Sequence, residues 1–153
     1  MGEGTKLVAQ NRRARHDYEI LGNYEAGIVL QGTEVKSLRQ GLASFQDSFA
    51  RIEEGEAYLY RLHISPYDSG NRFNHDPDRR RKLLLHAREL RSLIGQTEQK
   101  GLTLIPLKIY FKRGVAKVEI GLARAKRQHD RRREIAQRDV ERDIDRALSG
   151  RND

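Results

Sequence analysis

The stretch from Leu102 to Leu122, LTLIPLKIYFKRGVAKVEIGL, contains two runs with alternating apolar residues, separated by Lys112-Arg113-Gly114. Alternation with a period of two is typical of strands that bury one face, and a short break containing glycine predicts a hairpin. Because proline cannot donate a hydrogen bond to a sheet, Pro106 favours an edge position. The alternation predicts these inward residues: Ile105, Leu107, Ile109, Phe111, Val118, Ile120 and Leu122.

Three further extended segments precede this hairpin. The first runs from Tyr18 to Leu30 and contains Gly22-Asn23, which predicts a long strand with a bulge. The other two, Ser44 to Ile52 and Tyr58 to Ile64, are joined by a glutamate-rich turn with Gly55 and predict a second hairpin. In the last segment we expect one face to be formed by Tyr58, Tyr60, Leu62 and Ile64.

Two helices are predicted between the strands. Gly32 to Gly41, GTEVKSLRQG, has aliphatic residues at three- and four-residue steps, with Thr33 as N-cap and Gly41 as the stop. Leu83 to Lys100 has the same helical period. Five strands with a helix between the third and the fourth match a barrel of the OB type. The predicted fold is mainly β with helices: an OB-fold-like closed or partly open β-barrel with inserted helices and a basic C-terminal tail.

Three segments fall outside this pattern. Residues 1–10 have no period, and we expect a flexible N-terminus before a barrel over 11–122. Residues 65–82 are a long loop that ends in the cations Arg79 to Lys82. Residues 123–153 form a highly charged tail, predicted to be disordered when free and helical on a partner, because apolar residues recur every four positions. The alternative is a solvated tail that serves only solubility.

The charge of the chain favours an anionic partner. Lys and Arg number 30 against 22 Asp and Glu, which gives a net charge of +8. Nucleic acid is the first candidate and an anionic membrane the second. The membrane is disfavoured because hydrophobic residues make up 37% of the chain and no apolar run approaches about 20 residues. The absence of cysteine excludes disulfides and Cys-based zinc sites, and we expect a soluble intracellular protein.

Signatures of catalysis are weak in this sequence. Gly27 to Thr33 has the glycine spacing of a P-loop but lacks the lysine that reaches the phosphates. His75 and His129 each precede an aspartate without the context of a nucleophile, and the histidines lack metal-ligand spacing. We therefore predict no enzyme activity, no metal and no cofactor. A nuclease that uses His16, His75 or His129 remains the alternative from the enzyme class.

Basic residues recur at three places that are candidates for phosphate contacts. Lys36 and Arg39 are three apart and point away from the aliphatic face of their helix. Asn11 to His16 and Arg79 to Lys82 are two further basic segments. The alternative for Lys36 and Arg39 is the solvated face of a packing helix. Because aromatics are only 7% of the chain and the core needs most of them, we expect phosphate and sugar contacts to dominate over base stacking.

Five blocks in order carry a resemblance to a known family: NRRARHDYEI, YEAGIVLQGTEVKSLR, DPDRRRKLLLHARELRSLIG, GLTLIPLKIYF and KVEIGLARAKRQHDRR. They resemble the SmpB (small protein B, SsrA-binding protein) family of bacterial trans-translation, from Asn11 to about Arg133. The resemblance implies an OB-like barrel that binds the tRNA-like domain of transfer-messenger RNA and accompanies it to stalled ribosomes in the cytoplasm. It also implies contact with the decoding centre and the mRNA channel of the small subunit, and with elongation factor Tu through the aminoacylated RNA.

The resemblance also implies which residues act. Those matched to RNA binding are Asn11, Arg13, Arg15, His16, Glu25, Lys36, Arg39, Leu84, Lys117, Arg124, Lys126 and Arg127. Those matched to ribosome contact in the tail are His129, Asp130, Arg131 and Arg132. Leu84 is expected to act indirectly and Glu34 structurally. Two residues depart from the family pattern, Ala125 for glycine and Val140 for tryptophan. A ribosomal or ribosome-assembly RNA-binding protein is the alternative function.

Overall fold

The computed structural model describes residues 4–67, 74–99 and 101–126, and these form nine strands and three helices. The helices are α1 (Ala14–Asp17), α2 (Gly32–Arg39) and α3 (Ala87–Thr97). The strands are β1 (Thr5–Gln10), β2 (Tyr18–Ile28), β3 (Ala43–Ser44), β4 (Phe49–Glu53), β5 (Glu56–Tyr60), β6 (His63–Ile64), β7 (Arg81–Leu84), β8 (Leu102–Lys112) and β9 (Val115–Ala125).

Six strands form a ring that returns to its first member. Antiparallel pairings join β8 to β4, β4 to β5, β5 to β7, β7 to β2 and β2 to β9, and β9 pairs again with β8. One residue pair, Ala50 with Leu104, joins β4 to β8, so the barrel is partly open at that seam. The predicted mainly β barrel with inserted helices is confirmed.

The interior of the barrel is filled by aliphatic side chains from every strand of the ring. Burial of one such side chain contributes about 1.5–3 kcal/mol, so this core is the main source of stability. The prediction for β9 is confirmed, and β8 contributes two of its four predicted residues. The buried residues that the ring contributes to this core are Ala26, Ile28, Ala50, Ala57, Leu59, Leu83, Leu104, Ile109, Phe111, Ala116, Val118, Ile120 and Leu122.

The prediction that Ile105 and Leu107, in the first half of β8, point into the barrel is wrong. A register shift next to Pro106 reverses the alternation along the strand. Ile105 and Leu107 therefore lie outside the barrel, where they pack against Ala14 and Ala123. The residues around this bulge are nearly all apolar, so the sequence pattern does not reveal the change of phase.

The predicted face of the segment from Tyr58 to Ile64 is wrong for its first half. Leu59 is 0% exposed and faces the core, whereas Tyr58 and Tyr60 lie on the outer side of β5. Arg61, with a φ of 58°, ends the strand, so the residues before and after it do not share one alternation.

The N-terminal residues also differ from the prediction of a flexible segment. Thr5–Gln10 forms β1 and pairs with Lys108 to Lys112 of β8. The second half of β8 does not pair with β4, so its backbone is free to pair with β1 on that edge. At the other end of the domain, Ala123 is fully buried within β9, so the barrel continues past the predicted boundary at residue 122.

Helix α2 begins with a cap different from the one predicted. Gln31, not Thr33, is the N-cap, and its backbone N–H donates to the Glu34 carboxylate over 2.7 Å in a capping box. Thr33 lies inside the helix, where its hydroxyl is 2.8 Å from His75 Nδ1. Gly41, with a φ of 76°, follows the helix as predicted.

Helix α3 is shorter than the sequence predicted. Leu83 and Leu84 belong to β7, and the helix spans Ala87–Thr97 with Leu93 buried against the core. The apolar run Leu83-Leu84-Leu85 leads into the helical period, so the sequence does not reveal where the strand ends and the helix begins. Part of the predicted long loop, residues 68–73, lies outside the described residues.

Candidate nucleic-acid interface

The basic segment before β2 is fastened to the outside of the barrel. The side chain of Asn11 donates a hydrogen bond to the Pro106 carbonyl over 2.9 Å, and its backbone N–H donates to the Leu107 carbonyl over 2.8 Å. Ala14 is 3% exposed and packs in a small second core on β8 and β9. The short side chain of Ala14 allows α1 to pack closely against the barrel. Three neighbouring arginines remain exposed: Arg12, Arg13 and Arg15.

The end of β9 lies beside the same segment. Strand pairing places Arg124 opposite Glu19, and the Lys126 backbone N–H donates to the Asp17 carbonyl over 3.0 Å. His16 Nδ1 is 2.9 Å from the Asp17 carboxylate. The fold thus joins predicted binding residues from two distant parts of the chain. We call this group the basic cluster: Asn11, Arg12, Arg13, Arg15, His16, Arg124 and Lys126.

Lys117 and Leu84 lie on the two strands that flank β2. Both are paired with Gly27, Lys117 from β9 and Leu84 from β7. A Cβ atom at position 27 would lie 3.4 Å from the Leu84 Cβ. The absence of a side chain at Gly27 therefore leaves room for the Leu84 side chain to lie against it. Leu84 is 53% exposed. A lysine and an exposed leucine on either side of Gly27 offer a phosphate contact and an apolar contact to one ligand.

Glu25 precedes Gly27 by two residues and is held by neighbours from β8. The Tyr110 hydroxyl donates to Glu25 Oε2 over 2.5 Å, and Lys112 Nζ is 3.4 Å from both carboxylate oxygens. The hydrogen bond from Tyr110 lowers the pKa of Glu25, with a smaller contribution from Lys112, against the opposing effect of burial. Burial and the Glu25 carboxylate raise the pKa of Tyr110, which keeps the phenol protonated. Glu25 is therefore an ionised acceptor with a fixed orientation.

A cleft lies between the basic cluster and strands β8 and β9. Its volume is about 330 Å³, and its lining includes Arg12, Arg15 and the ion pair between Lys108 and Glu119, whose atoms are 3.3 Å apart. Glu119 is directly opposite Glu25 in the sheet. We define the β2–β9 face as the basic cluster together with Glu25, Leu84, Lys108, Glu119 and Lys117.

Lys36 and Arg39 lie on a different element, α2, and both are exposed. Lys36 Nζ is 5.6 Å from the centre of the Tyr67 ring, and Arg39 Cζ is 5.9 Å from that of Phe111. Each cation therefore covers its own aromatic ring. This arrangement agrees with the solvated-face alternative and leaves the cationic groups accessible, so their role in phosphate binding stays a prediction.

The run Arg79 to Lys82 is not the exposed basic patch that the sequence indicated. Arg81 is fully buried, and its Nε donates to Glu34 Oε2 over 2.5 Å. Arg79 donates to both oxygens of the same carboxylate. Glu34 thus pairs with two cations of the run, and the buried Arg81 has the paired anion that a buried guanidinium requires. The expectation that Glu34 is structural agrees with this geometry.

Sequence reasoning did not identify Glu119 of the β2–β9 face, nor the three β8 residues that contact its glutamates: Lys108, Tyr110 and Lys112. They alternate along the second half of β8, which the bulge next to Pro106 shifts in register. Their side-chain contacts fall on Glu25 and Glu119 of the neighbouring strands, far away in sequence. The alternation with a period of two predicts that these side chains share one face of β8. Only the strand pairing shows that they contact Glu25 and Glu119.

The predicted residues Arg127, His129, Asp130, Arg131 and Arg132 lie outside the described residues. Within residues 4–67, 74–99 and 101–126, no group of His, Asp and Glu is arranged to hold a metal ion. In the same part of the chain, no helix combines the length and the apolar character that crossing a membrane requires.

Comparisons with known proteins agree on one family. Residues 8–150 match the family model described as SmpB protein. The SsrA-binding protein of Pelotomaculum thermopropionicum is 60% identical over 146 residues, which cover 95% of each chain. That of Enterococcus faecalis is 58% identical over 147 residues, 96% of this chain and 95% of the relative. A chain from a structure titled "tmRNA-SmpB: a journey to the center of the bacterial ribosome" has a TM-score of 0.66 and 65% identity, covering 78% of this chain and 85% of that one.

Proposed function

The chain belongs to the SmpB protein family, and we propose that it is an RNA-binding adaptor for ribosome rescue. It binds the tRNA-like domain of transfer-messenger RNA, also called SsrA RNA, and delivers this RNA to stalled ribosomes for trans-translation. The relatives that are 55–60% identical are named SsrA-binding proteins, and the similar solved structure is titled for transfer-messenger RNA and the ribosome.

The observation that carries this proposal is the β2–β9 face. Strand pairing and α1 collect predicted RNA-binding residues from four separate segments on one side of the barrel. The cations of the basic cluster suit phosphates, and Leu84 suits an apolar part of a sugar or base. The ionised Glu25 accepts hydrogen bonds, which suits 2′-hydroxyl groups or base N–H donors and distinguishes this face from a purely cationic one.

The remaining parts of the function follow from the same family. The protein acts as a binding adaptor without catalysis or a cofactor, and works in the cytoplasm. Its tail from Arg127 onward occupies the empty mRNA channel, with His129 and Asp130-Arg131-Arg132 at the decoding centre. Elongation factor Tu is reached through the aminoacylated RNA rather than through a direct site on the barrel.

Replacing Tyr110 by phenylalanine weakens RNA binding about three- to tenfold, because Glu25 loses the hydrogen bond that fixes its carboxylate. The pKa of Glu25 rises towards its ordinary value in this variant, since the Tyr110 hydrogen bond is the main cause of its depression. Titration of the carboxylate by NMR and of RNA by fluorescence anisotropy measures both effects.

Glu25→Gln provides the reference for this experiment. In the Glu25→Gln background, Tyr110→Phe is expected to cause little further loss of affinity, because the two residues act as a unit. Equal losses in both backgrounds would show that Tyr110 acts independently of Glu25.

Truncation after Lys126 separates the two activities of the proposed adaptor. The truncated protein retains the whole β2–β9 face and is expected to bind the tRNA-like domain within roughly tenfold of the full chain, since only tail charges are removed. Peptide tagging on stalled ribosomes is expected to be abolished in a reconstituted translation assay. Tagging at the full rate by the truncated protein would disprove the role of the tail.

A further inference from the structure

The outer side of β4 and β5 carries aromatic and arginine side chains in a fixed arrangement. The rings of Phe49 and Tyr60, which are paired across the two strands, lie parallel within 8° at 5.1 Å between centroids. Arg51 lies over both rings, at 5.3 Å from Phe49 and 5.7 Å from Tyr60. Arg80 lies 4.1 Å from the ring of Tyr58. We call these five residues the β4–β5 face.

One carboxylate holds this arrangement in place. Glu53 accepts a hydrogen bond from the Tyr60 hydroxyl and from Arg80 over 3.2 Å, and forms an ion pair with Arg51 at 3.7 Å. The core side of the same strands is filled by small and aliphatic residues. The aromatic side chains are therefore not required by the barrel core. Ordered side chains lose little entropy when a ligand binds, which favours a binding role.

Both guanidinium groups of the β4–β5 face remain accessible. The side chains of Arg51 and Arg80 are 61% and 51% exposed, although one side of each lies on an aromatic ring. Cation–π contacts by lysine or arginine occur roughly once per 70–80 residues in proteins, whereas three meet on this face: Arg51 with two rings and Arg80 with one. Each guanidinium is thus in contact with an aromatic ring and still open to solvent, and arginine is one of the side chains on which unpaired nucleobases stack.

The charge balance of the β4–β5 face distinguishes it from the β2–β9 face. Glu53 offsets one of the two arginine charges, and Lys82 next to them is 3.6 Å from Glu56. A surface with so little net charge has weak attraction for the backbone of duplex RNA, which is bound mainly through its phosphates. Stacking remains available, and each stacked unpaired base strengthens binding about five- to hundredfold.

The two faces lie on different walls of the barrel. In the ring of strands, β4 and β5 carry no residue of the β2–β9 face, which extends no further than Leu84 on β7 and Lys108 on β8. One RNA on the β2–β9 face therefore leaves the β4–β5 face open. We propose that the β4–β5 face is a second RNA-binding surface, which stacks unpaired bases of an RNA segment while the β2–β9 face holds the first RNA.

A labelled probe tests this proposal on the full chain. The protein is first saturated with unlabelled tRNA-like domain, and a short fluorescein-labelled oligouridylate is then titrated at physiological salt. Arg51→Ala with Arg80→Ala is expected to weaken probe binding about five- to hundredfold, the usual range for loss of a stacked base. The lysine pair Arg51→Lys with Arg80→Lys keeps the charge but loses the planar group, so it is expected to weaken binding nearly as much.

Two controls separate stacking from charge. Arg88→Ala with Arg91→Ala removes the same charge from the exposed surface of α3 and is expected to leave probe binding within roughly twofold. An abasic probe of the same length is expected to bind the unmodified protein as weakly as the oligouridylate binds the alanine pair. Probe binding by the lysine pair equal to that of the unmodified protein would overturn the proposal, as would an unaffected alanine pair. A separate titration of the protein with the tRNA-like domain alone tests the β2–β9 face, so failure of that site is distinguished from failure of the β4–β5 face.

Discussion

Replacing Glu34 by glutamine lowers the free energy of unfolding by about 3–5 kcal/mol, the usual cost of removing one partner from a buried ion pair. Arg81 is fully buried, and without the carboxylate its charge is left with carbonyl partners alone, at Leu62 and Pro77. Arg79 loses its anion as well, and the capping box at the start of α2 loses a charged acceptor. The substitution therefore weakens the interaction between α2, which carries Glu34, and β7, which carries Arg81.

Urea unfolding followed by circular dichroism measures this effect. Glu98→Gln, at the exposed end of α3, removes the same charge without a buried partner and is expected to change stability by less than about 0.5 kcal/mol. A loss below about 1 kcal/mol for Glu34→Gln, the range of exposed ion pairs, would contradict a central structural role for the network.

The same carboxylate gives the fold a pH dependence. Burial acts to raise the pKa of Glu34, but hydrogen bonds from Arg79 and the Gln31 backbone, together with the charge of Arg81, bring it below the ordinary value of 4.5. The folded state then holds fewer protons than the unfolded state, so this stabilisation is complete above the ordinary pKa and is lost as the pH falls through the lower folded value. Glu34→Gln is expected to flatten this acid-side decline.

Replacing Arg13 and Arg15 by alanine weakens binding to the tRNA-like domain by about 3–6 kcal/mol, if each arginine makes one charge-assisted hydrogen bond to a phosphate. Both side chains are exposed beside Ala14, whose burial is unaffected, so the fold is expected to remain intact. The slope of log affinity against log salt is expected to decrease by roughly 2, because each arginine neutralises one phosphate. Anisotropy titration at several salt concentrations measures both quantities.

The matched control for this pair is again Arg88→Ala with Arg91→Ala. It lowers the net charge equally but leaves the β2–β9 face unchanged, and the expected loss of affinity is no more than about threefold. Similar losses for the two pairs would show that long-range attraction by net charge, rather than local binding to phosphates, governs the affinity.

The sequence predicted the architecture where one physical rule dominated. The alternation in β9, the glycine turn after Lys112 and the helical period of α2 each had one consistent interpretation, and all three are confirmed. The errors occur where rules compete. Around Pro106 an apolar run conceals a bulge, and around Leu84 an apolar run passes from a strand into a helix without a break.

In the candidate site, too, local sequence patterns predicted some features, whereas contacts between distant segments were not predictable. Local composition identified the basic segment around Arg13, and the resemblance indicated Glu25, Leu84 and Lys117. Neither showed that Gly27 places Leu84 and Lys117 on opposite sides of one residue, because strand pairing joins parts of the chain that are far apart. Arg81 is the converse case, since a run of cations does not reveal which of them pairs with a distant buried acid.

The most direct test of the proposed function is titration of the full chain into the labelled tRNA-like domain of transfer-messenger RNA, with unlabelled tRNA as competitor. The competition is read by fluorescence anisotropy at several salt concentrations. An adaptor for this RNA binds tightly, and ordinary tRNA displaces it poorly even where salt has weakened the contribution of net charge. Equal and weak affinity for both RNAs would contradict the proposed function and would instead indicate a general ribosomal or ribosome-assembly protein.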